Sequence, residues 1–220
     1  SNNPKFVENT TSWNNISVND IFNACLAMND ANNVYGLPTT ADTHMVKNVE
    51  WGAVAYLTQA IGTSGTNLPA QNTATQKTGV LSATSQSTTG NEWGIYDMNG
   101  GLWEYVAAYA GTGGSYSASL ISADAKYKDT YTYDGDGRGY NSSKIGDAMY
   151  ETSSDSGKNN TNSSWFGKYS YAPTSSVPVV KRGGYYSDNA SGAGVFAFYY
   201  YNGFAYSNYG FRCCVAVPAS

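Results

Sequence analysis

Little of this chain is charged: Asp, Glu, Lys and Arg make up 13% of its 220 residues, and the formal net charge is −4. A surface this sparse and slightly acidic gives no electrostatic reason to expect DNA, RNA or an anionic membrane as partner. His44 is the single histidine, so no His-based metal cluster and no Ser-His-Asp triad is expected, only a hydrogen-bonded structural role. Three cysteines, Cys25, Cys213 and Cys214, are too few for a disulfide framework and lack C-x-x-C metal spacing. On a strand, Cys213 and Cys214 point to opposite faces. One of them could reach Cys25, but buried free thiols are the expected state. No apolar run approaches the roughly 20 residues that span a bilayer, so direct membrane insertion is not expected. There is no P-loop and no nucleophile elbow, and nothing else in the chain reads as catalytic.

Asn, Ser, Thr, Gly and Tyr dominate instead, with 24 Gly and 20 Tyr, a composition that leans extracellular. The length suits one sizeable core, and we expect a single α+β domain over residues 1–220. The chain starts with Ser1 rather than Met, which leads us to expect a targeting or anchoring segment upstream. Residues 1–17 read as an irregular lead-in anchored by Phe6 and Trp13. Ser17 is a plausible N-cap for a helix over residues 18–29. NVEWGAVAYLTQAIG predicts a second helix, with Val49, Ala53 and Leu57 on its buried stripe and Gly62 at its stop. A Thr/Ser/Gln/Asn-rich loop follows over residues 63–90. Order returns at NEWGIYDMNGGLWEYVAAY, where Trp93, Ile95, Met98, Leu102, Trp103 and Val106 supply bulk and Asn99-Gly100-Gly101 signals a turn. Residues 111–180 are loop-heavy and end on the β-like run SVPVVKRGG.

The stretch from Lys181 to Cys214 stands apart. Its sequence, KRGGYYSDNASGAGVFAFYYYNGFAYSNYGFRCC, is dense in Tyr and Phe, and Asp188 is its one formal charge between Gly183 and Phe211. A core strand favours Val, Ile and Leu. Tyr, Ser, Gly and Asn with aromatic anchors make an adaptable binding surface, because tyrosine offers large amphipathic area for two side-chain torsions. Three adjacent tyrosines at 199–201 cannot all point one way on a strand, so this segment reads as a ligand-binding face and the rest as its scaffold.

Other candidate sites are weaker. Asp134 and Asp136 in DGDGRG invite a calcium loop, but Arg138 and Ile145 stand where further ligands are required. A Gly-rich turn is the better reading. Asp97 and Glu104 could form an acid/base pair, although hydrogen bonding to loop backbone is the expected role.

Three blocks together resemble sulfatase-modifying-factor domains, whose fold is the formylglycine-generating-enzyme-like version of the C-type lectin fold. They are WGAVAYL at 51–57, GIYDMNGGLWEYV at 94–106 with Gly101 in place of the family's Asn, and the pair RGG (182–184) and GFR (210–212). The resemblance covers roughly residues 34–217. It implies two flanking helices, a small twisted antiparallel sheet and long loops. The family's oxidases use a closely spaced pair of cysteines shortly after RGG. The matching positions here lie near Asp188 and Ala193, so the copper-binding thiolates are missing. The E-P-N and Q-P-D motifs of calcium-dependent sugar binding are also absent.

The chain is similar in a further way to the variable proteins of diversity-generating retroelements. Mutagenesis of template adenines diversifies codons of the AAY type, from which Lys, Glu, Gln, Met and Trp are not reachable. None of the five occurs from Arg182 to Val217, although the chain holds 4 Met and 5 Trp. The resemblance implies a hypervariable, non-catalytic binding protein, displayed on a bacterial cell surface, pilus or phage virion, with its variable region at 182–212. Its partner would be a protein or glycan ligand on another cell or surface. No cofactor is expected, though the family allows a structural calcium ion. Gly183, Gly184, Gly210, Phe211 and Arg212 would be scaffold, with Val195 and Phe196 turned inward. The side chains expected to contact ligand are Tyr186, Asp188, Asn189, Ala197, Tyr199, Tyr200, Tyr201, Phe204, Tyr206, Asn208 and Tyr209. The alternatives are a pilus or phage decoration module whose aromatic patch is an assembly interface, and a diverged oxidase.

Overall fold

A computed structural model describes residues 3–61, 68–133, 144–154 and 161–218. Ser17 ends the lead-in as predicted: its side chain accepts the Asp20 N–H at 3.3 Å and caps α1 (Val18–Leu26), which tightens into a 3-10 turn at Ala27–Asn29. Val18, Ile21, Phe22 and Cys25 form the buried stripe of α1. Strand β1 (Asp42–Met45) follows, then α2 (Asn48–Ile61). The proposed stop at Gly62 lies outside the described residues.

The buried stripe of α2 is not the predicted one. Asn48, Trp51, Gly52, Ala55 and Thr58 face inward, and Leu57 is 54% exposed. Trp51 decides the rotation. Its indole N–H donates to the Val195 carbonyl at 2.8 Å, and a fully buried Trp outweighs the smaller side chains competing for the interface. Gly52 allows the helix to touch backbone at residues 146 and 147, where a Cβ would overlap the Gly146 carbonyl. Trp93, expected to supply bulk, is 85% exposed.

The remaining elements are β2 (Trp103–Ala110), the short α3 (Ala118–Ser122), β3 (Asp129–Tyr131), β4 (Thr161–Ser164), β5 (Lys168–Ser170), β6 (Val179–Gly183), β7 (Gly194–Tyr201), β8 (Tyr209–Phe211) and β9 (Cys213–Ala216). The order β3-β2-β6-β7-β5-β4, with β8 also on β2, makes a seven-stranded sheet, while β1 and β9 pair separately. This is a mixed α+β architecture with few helices. The predicted antiparallel pairing holds for β2–β6, β6–β7 and β4–β5, but β2–β3, β2–β8 and β5–β7 are parallel. The long connections explain it, since a strand re-entering beside a parallel neighbour needs a crossover rather than a hairpin.

Both faces of the sheet are covered. Trp103, Tyr105, Ala107 and Tyr109 of β2 pack with Val179 and Ala197 against α1. The alternate residues Val106, Ala108 and Ala110 pack with Val180 and Phe198 on the side of Trp51. Val195 and Phe196 are fully buried, as expected. Among the described residues, no helix is long and apolar enough to cross a membrane.

Candidate functional site

The site grows from β6, whose alternation sends Val179 and Lys181 to one face and Val180 and Arg182 to the other. Arg182 is fully buried. Its guanidinium donates to Asn48 Oδ1 at 3.3 Å and to the carbonyls of Asp147, Ala148 and Val195 at 3.2–3.4 Å. Burial draws its pKa down to about 10, and Asp147, itself pushed up by burial to about 6, holds the charge in place. Gly183 and Gly184 follow with φ of 88° and 78°, left-handed backbone that favours glycine. Their missing Cβ atoms make room for the Trp51 ring and for Ala193. Arg212 closes the frame with two 2.6 Å bonds to Glu104. Glu104 is therefore an ion-pair partner rather than a backbone acceptor, whereas Asp97 takes the Gly79 N–H at 2.9 Å as expected.

On the other face Lys181 is buried, with 5% of its surface exposed. Its ammonium donates to the Tyr209 hydroxyl at 2.9 Å. The rings of Tyr209, Trp103, Tyr199 and Tyr201 surround it, with centroids 4.1, 4.6, 4.9 and 5.1 Å from Nζ. Lys181 makes no ion pair with a carboxylate among the described residues. Burial lowers its pKa to about 7, against which Asp188 pulls upward. A cavity of about 220 Å³ opens beside it, lined also by Tyr169, Tyr185, Asp188, Tyr206 and Asn208.

Two strings of rings meet at this lysine. One runs from Tyr200 through Tyr199, stacked on Tyr171 at 4.3 Å, to Trp103. The other joins Tyr201, Tyr209, Tyr206 and Phe204 at 4.8–6.3 Å. Of the predicted contact residues, Asn189 and Tyr206 are exposed, and Tyr186, Asp188, Tyr199, Tyr200, Tyr201, Phe204 and Asn208 are half-buried at the surface. Ala197 is a correction: it is fully buried in the core against α1, on the face of β7 that also carries Tyr199 and Tyr201, whereas Val195, Phe196 and Phe198 pack on the Trp51 side. Tyr209 is a second correction. It is 93% buried by β2 and serves as the hydrogen-bond partner of Lys181. Lys181, Trp103, Tyr169, Tyr171 and Tyr185 were not predicted. The alternation of VPVVKRGG held the one available signal, since it sets Lys181 on the face of Val179.

A larger cavity of about 660 Å³ lies between the N-terminal segment and residues 96–104. Among its charged lining residues, Glu104 and Arg212 are bonded to each other and Asp97 accepts the Gly79 N–H, while Lys5 is exposed at its edge. The predicted turn at Asp134, Asp136 and Arg138 lies outside the described residues, and Ile145 is 82% exposed.

Pairing of β1 with β9 sets His44 opposite Cys214. His44 bonds Asp42 and Glu50, each at 2.9 Å, and its Nε2, the Glu50 carboxylate and Cys214 Sγ lie within 4.8 Å of one another. This mixed donor set has the spacing of metal ligands, which one histidine in the sequence did not suggest. Hydrogen bonds that the imidazole donates to Cys214 and Glu50 raise its pKa to about 10. Burial opposes ionisation of Glu50, but the bonds from His44 and the Lys47 N–H win and hold it down to about 2. The thiols of Cys25 and Cys213 approach to 2.8 Å on the opposite face. No protein-family model matches the chain, and no curated protein matches it.

Proposed function

We propose that this chain is a non-catalytic ligand-binding domain of the formylglycine-generating-enzyme-like C-type lectin type, with a face at 182–212 diversified by a retroelement and displayed extracellularly. The carrying observation is the division of that segment. Tyr199, Tyr200, Tyr201, Phe204 and Tyr206 reach the surface as connected rings, while the backbone beneath is pinned by Arg182, Gly183 and the Glu104–Arg212 pair. A rigid backbone under variable side chains limits the ordering cost of binding.

The convergence of the resembling blocks supports the fold reading. Trp51 of the first block hydrogen-bonds Val195, Glu104 of the second pairs with Arg212 of GFR, and Gly183 of RGG sits against Trp51. Gly101 has φ of 67°, and a Cβ there would meet nothing closer than 3.5 Å. The family's Asn, which tolerates this conformation, would fit. Against an oxidase, Cys213 and Cys214 contact different sides of the core, and Ala193 is buried where a thiolate is required.

The test is to sequence this locus from many cells of one population. Substitutions confined to the surface positions of 182–212, with residues 1–181 unchanged, are expected. A uniform locus, or scatter spread along the whole chain, sinks the diversification reading.

A further inference from the structure

We propose that Lys181 is a carbonyl-capturing amine: its pocket takes a small aromatic aldehyde and binds it covalently as an imine. This goes beyond diversified recognition and holds whether or not the face varies.

Four observations carry it. Lys181 is buried, yet its amine lines a cavity of about 220 Å³ that opens at the tyrosine face. Among the described residues it has one hydrogen-bond partner, the Tyr209 hydroxyl at 2.9 Å, and no carboxylate partner. The Trp103 and Tyr199 rings lie 4.6 and 4.9 Å from Nζ and offer apolar walls to an aromatic ligand. Asp188 is the one carboxylate lining the pocket, placed to favour the cationic iminium over free aldehyde. Burial without an ion pair also favours the neutral amine, in line with the pKa near 7.

The chemistry needs no oxidant or reductant. The amine lone pair attacks the carbonyl carbon, and the C=O π pair moves to oxygen. That oxygen takes the proton released by nitrogen, with the Tyr209 hydroxyl placed to relay it. The carbinolamine then loses its hydroxyl with one further proton as water and leaves C=N. The balance is aldehyde plus amine giving imine plus water, the route by which desolvated lysines act as nucleophiles.

Lys168 is the internal control. It is also buried, with 8% exposed, and its pKa is also lowered by burial, but its ammonium is tied to the Ala190 carbonyl and it does not line this pocket. Lys77 and Lys126 are exposed controls. The experiment treats the intact protein at pH 7 with benzaldehyde and sodium cyanoborohydride, which delivers hydride to the imine and fixes it. Peptide mapping by mass spectrometry then gives a rate for each lysine. Lys181 is expected to label at least about tenfold faster than Lys77 and Lys126, because an ordinary lysine at pH 7 is neutral only on the order of once in 10³ molecules. The fast label should slow as pH falls below 7 and vanish in Lys181→Met. Labelling that follows exposure overturns the proposal, as does Lys168 reacting as fast as Lys181. The comparison is made within one folded molecule, so it does not depend on the variant folding.

Discussion

Lys181 and Arg182 are neighbours on β6, carry the same formal charge and are both buried, yet their surroundings differ in kind. Arg182 meets an amide oxygen and three carbonyls on the side of Trp51. Lys181 meets one tyrosine hydroxyl and a wall of rings on the side of α1. Cys213 and Cys214 repeat the division, the first beside Cys25 and the second beside Glu50. The lesson is that strand parity assigns neighbouring residues to different tasks. One face ties its cation into four hydrogen bonds and holds the fold. The other keeps unspent polar capacity beside a cavity.

The largest expected effect breaks the hydrogen-bonded Arg182 face. Arg182→Met should cost about 3–5 kcal/mol, since it strands buried acceptors and Asp147, and lower the Tm by roughly 10 °C or more. Lys181→Met should change stability by no more than about 1 kcal/mol, because it removes a buried charge lacking an ionic partner. Thermal denaturation followed by circular dichroism checks both, and equal losses would erase the contrast. Next, Tyr209→Ala should cost about 3–5 kcal/mol as a core truncation. Tyr206→Ala should stay within about 0.5 kcal/mol. Urea midpoints separate these two tyrosines.

A smaller effect concerns the thiols. Treatment with glutathione disulfide should join Cys25 to Cys213, the two thiols giving two electrons and two protons to the reagent, and stabilise the fold by about 2–4 kcal/mol. Peptide mapping should find Cys214 unpaired. A Cys25–Cys214 link would contradict the facial assignment.

The smallest effect is a pair of opposed pH slopes. His44 has its pKa raised from 6.5 to about 10, so its contribution is complete below 6.5 and is lost as pH rises through 10. Lys181 has its pKa lowered from 10.5 to about 7. Its burial penalty applies to the charged form, so its stability deficit is relieved as pH rises from 7 towards 10.5. From pH 7 to 10 the stability of His44→Gln should therefore climb relative to the unsubstituted protein, and that of Lys181→Met should fall. Parallel curves would remove the electrostatic part of the comparison.

Local signals were legible where one physical rule acts alone. The Ser17 cap and both long helices follow from side-chain oxygens, apolar spacing and a run free of breakers. The tyrosine-rich segment was readable as a surface because its composition is wrong for a core. Its interior members were not. Ala197 stands two residues before the half-buried tyrosines 199–201 and Tyr209 two residues after exposed Ser207, and the placing of β7 beside β6 and of β8 beside β2 buries them. The rotation of α2 was likewise set by the bond from Trp51 to Val195, 144 positions away.

By itself the sequence determined an α+β chain of low charge with two principal helices, a tyrosine-rich segment and no local catalytic motif, because propensity, capping and composition act over a few residues. Tertiary structure alone decided that Lys181 sits in an aromatic box, that His44, Glu50 and Cys214 converge, and that Cys25 meets Cys213. Those juxtapositions depend on strand register between distant segments, and a shift of one residue in β6 would exchange the places of Lys181 and Arg182.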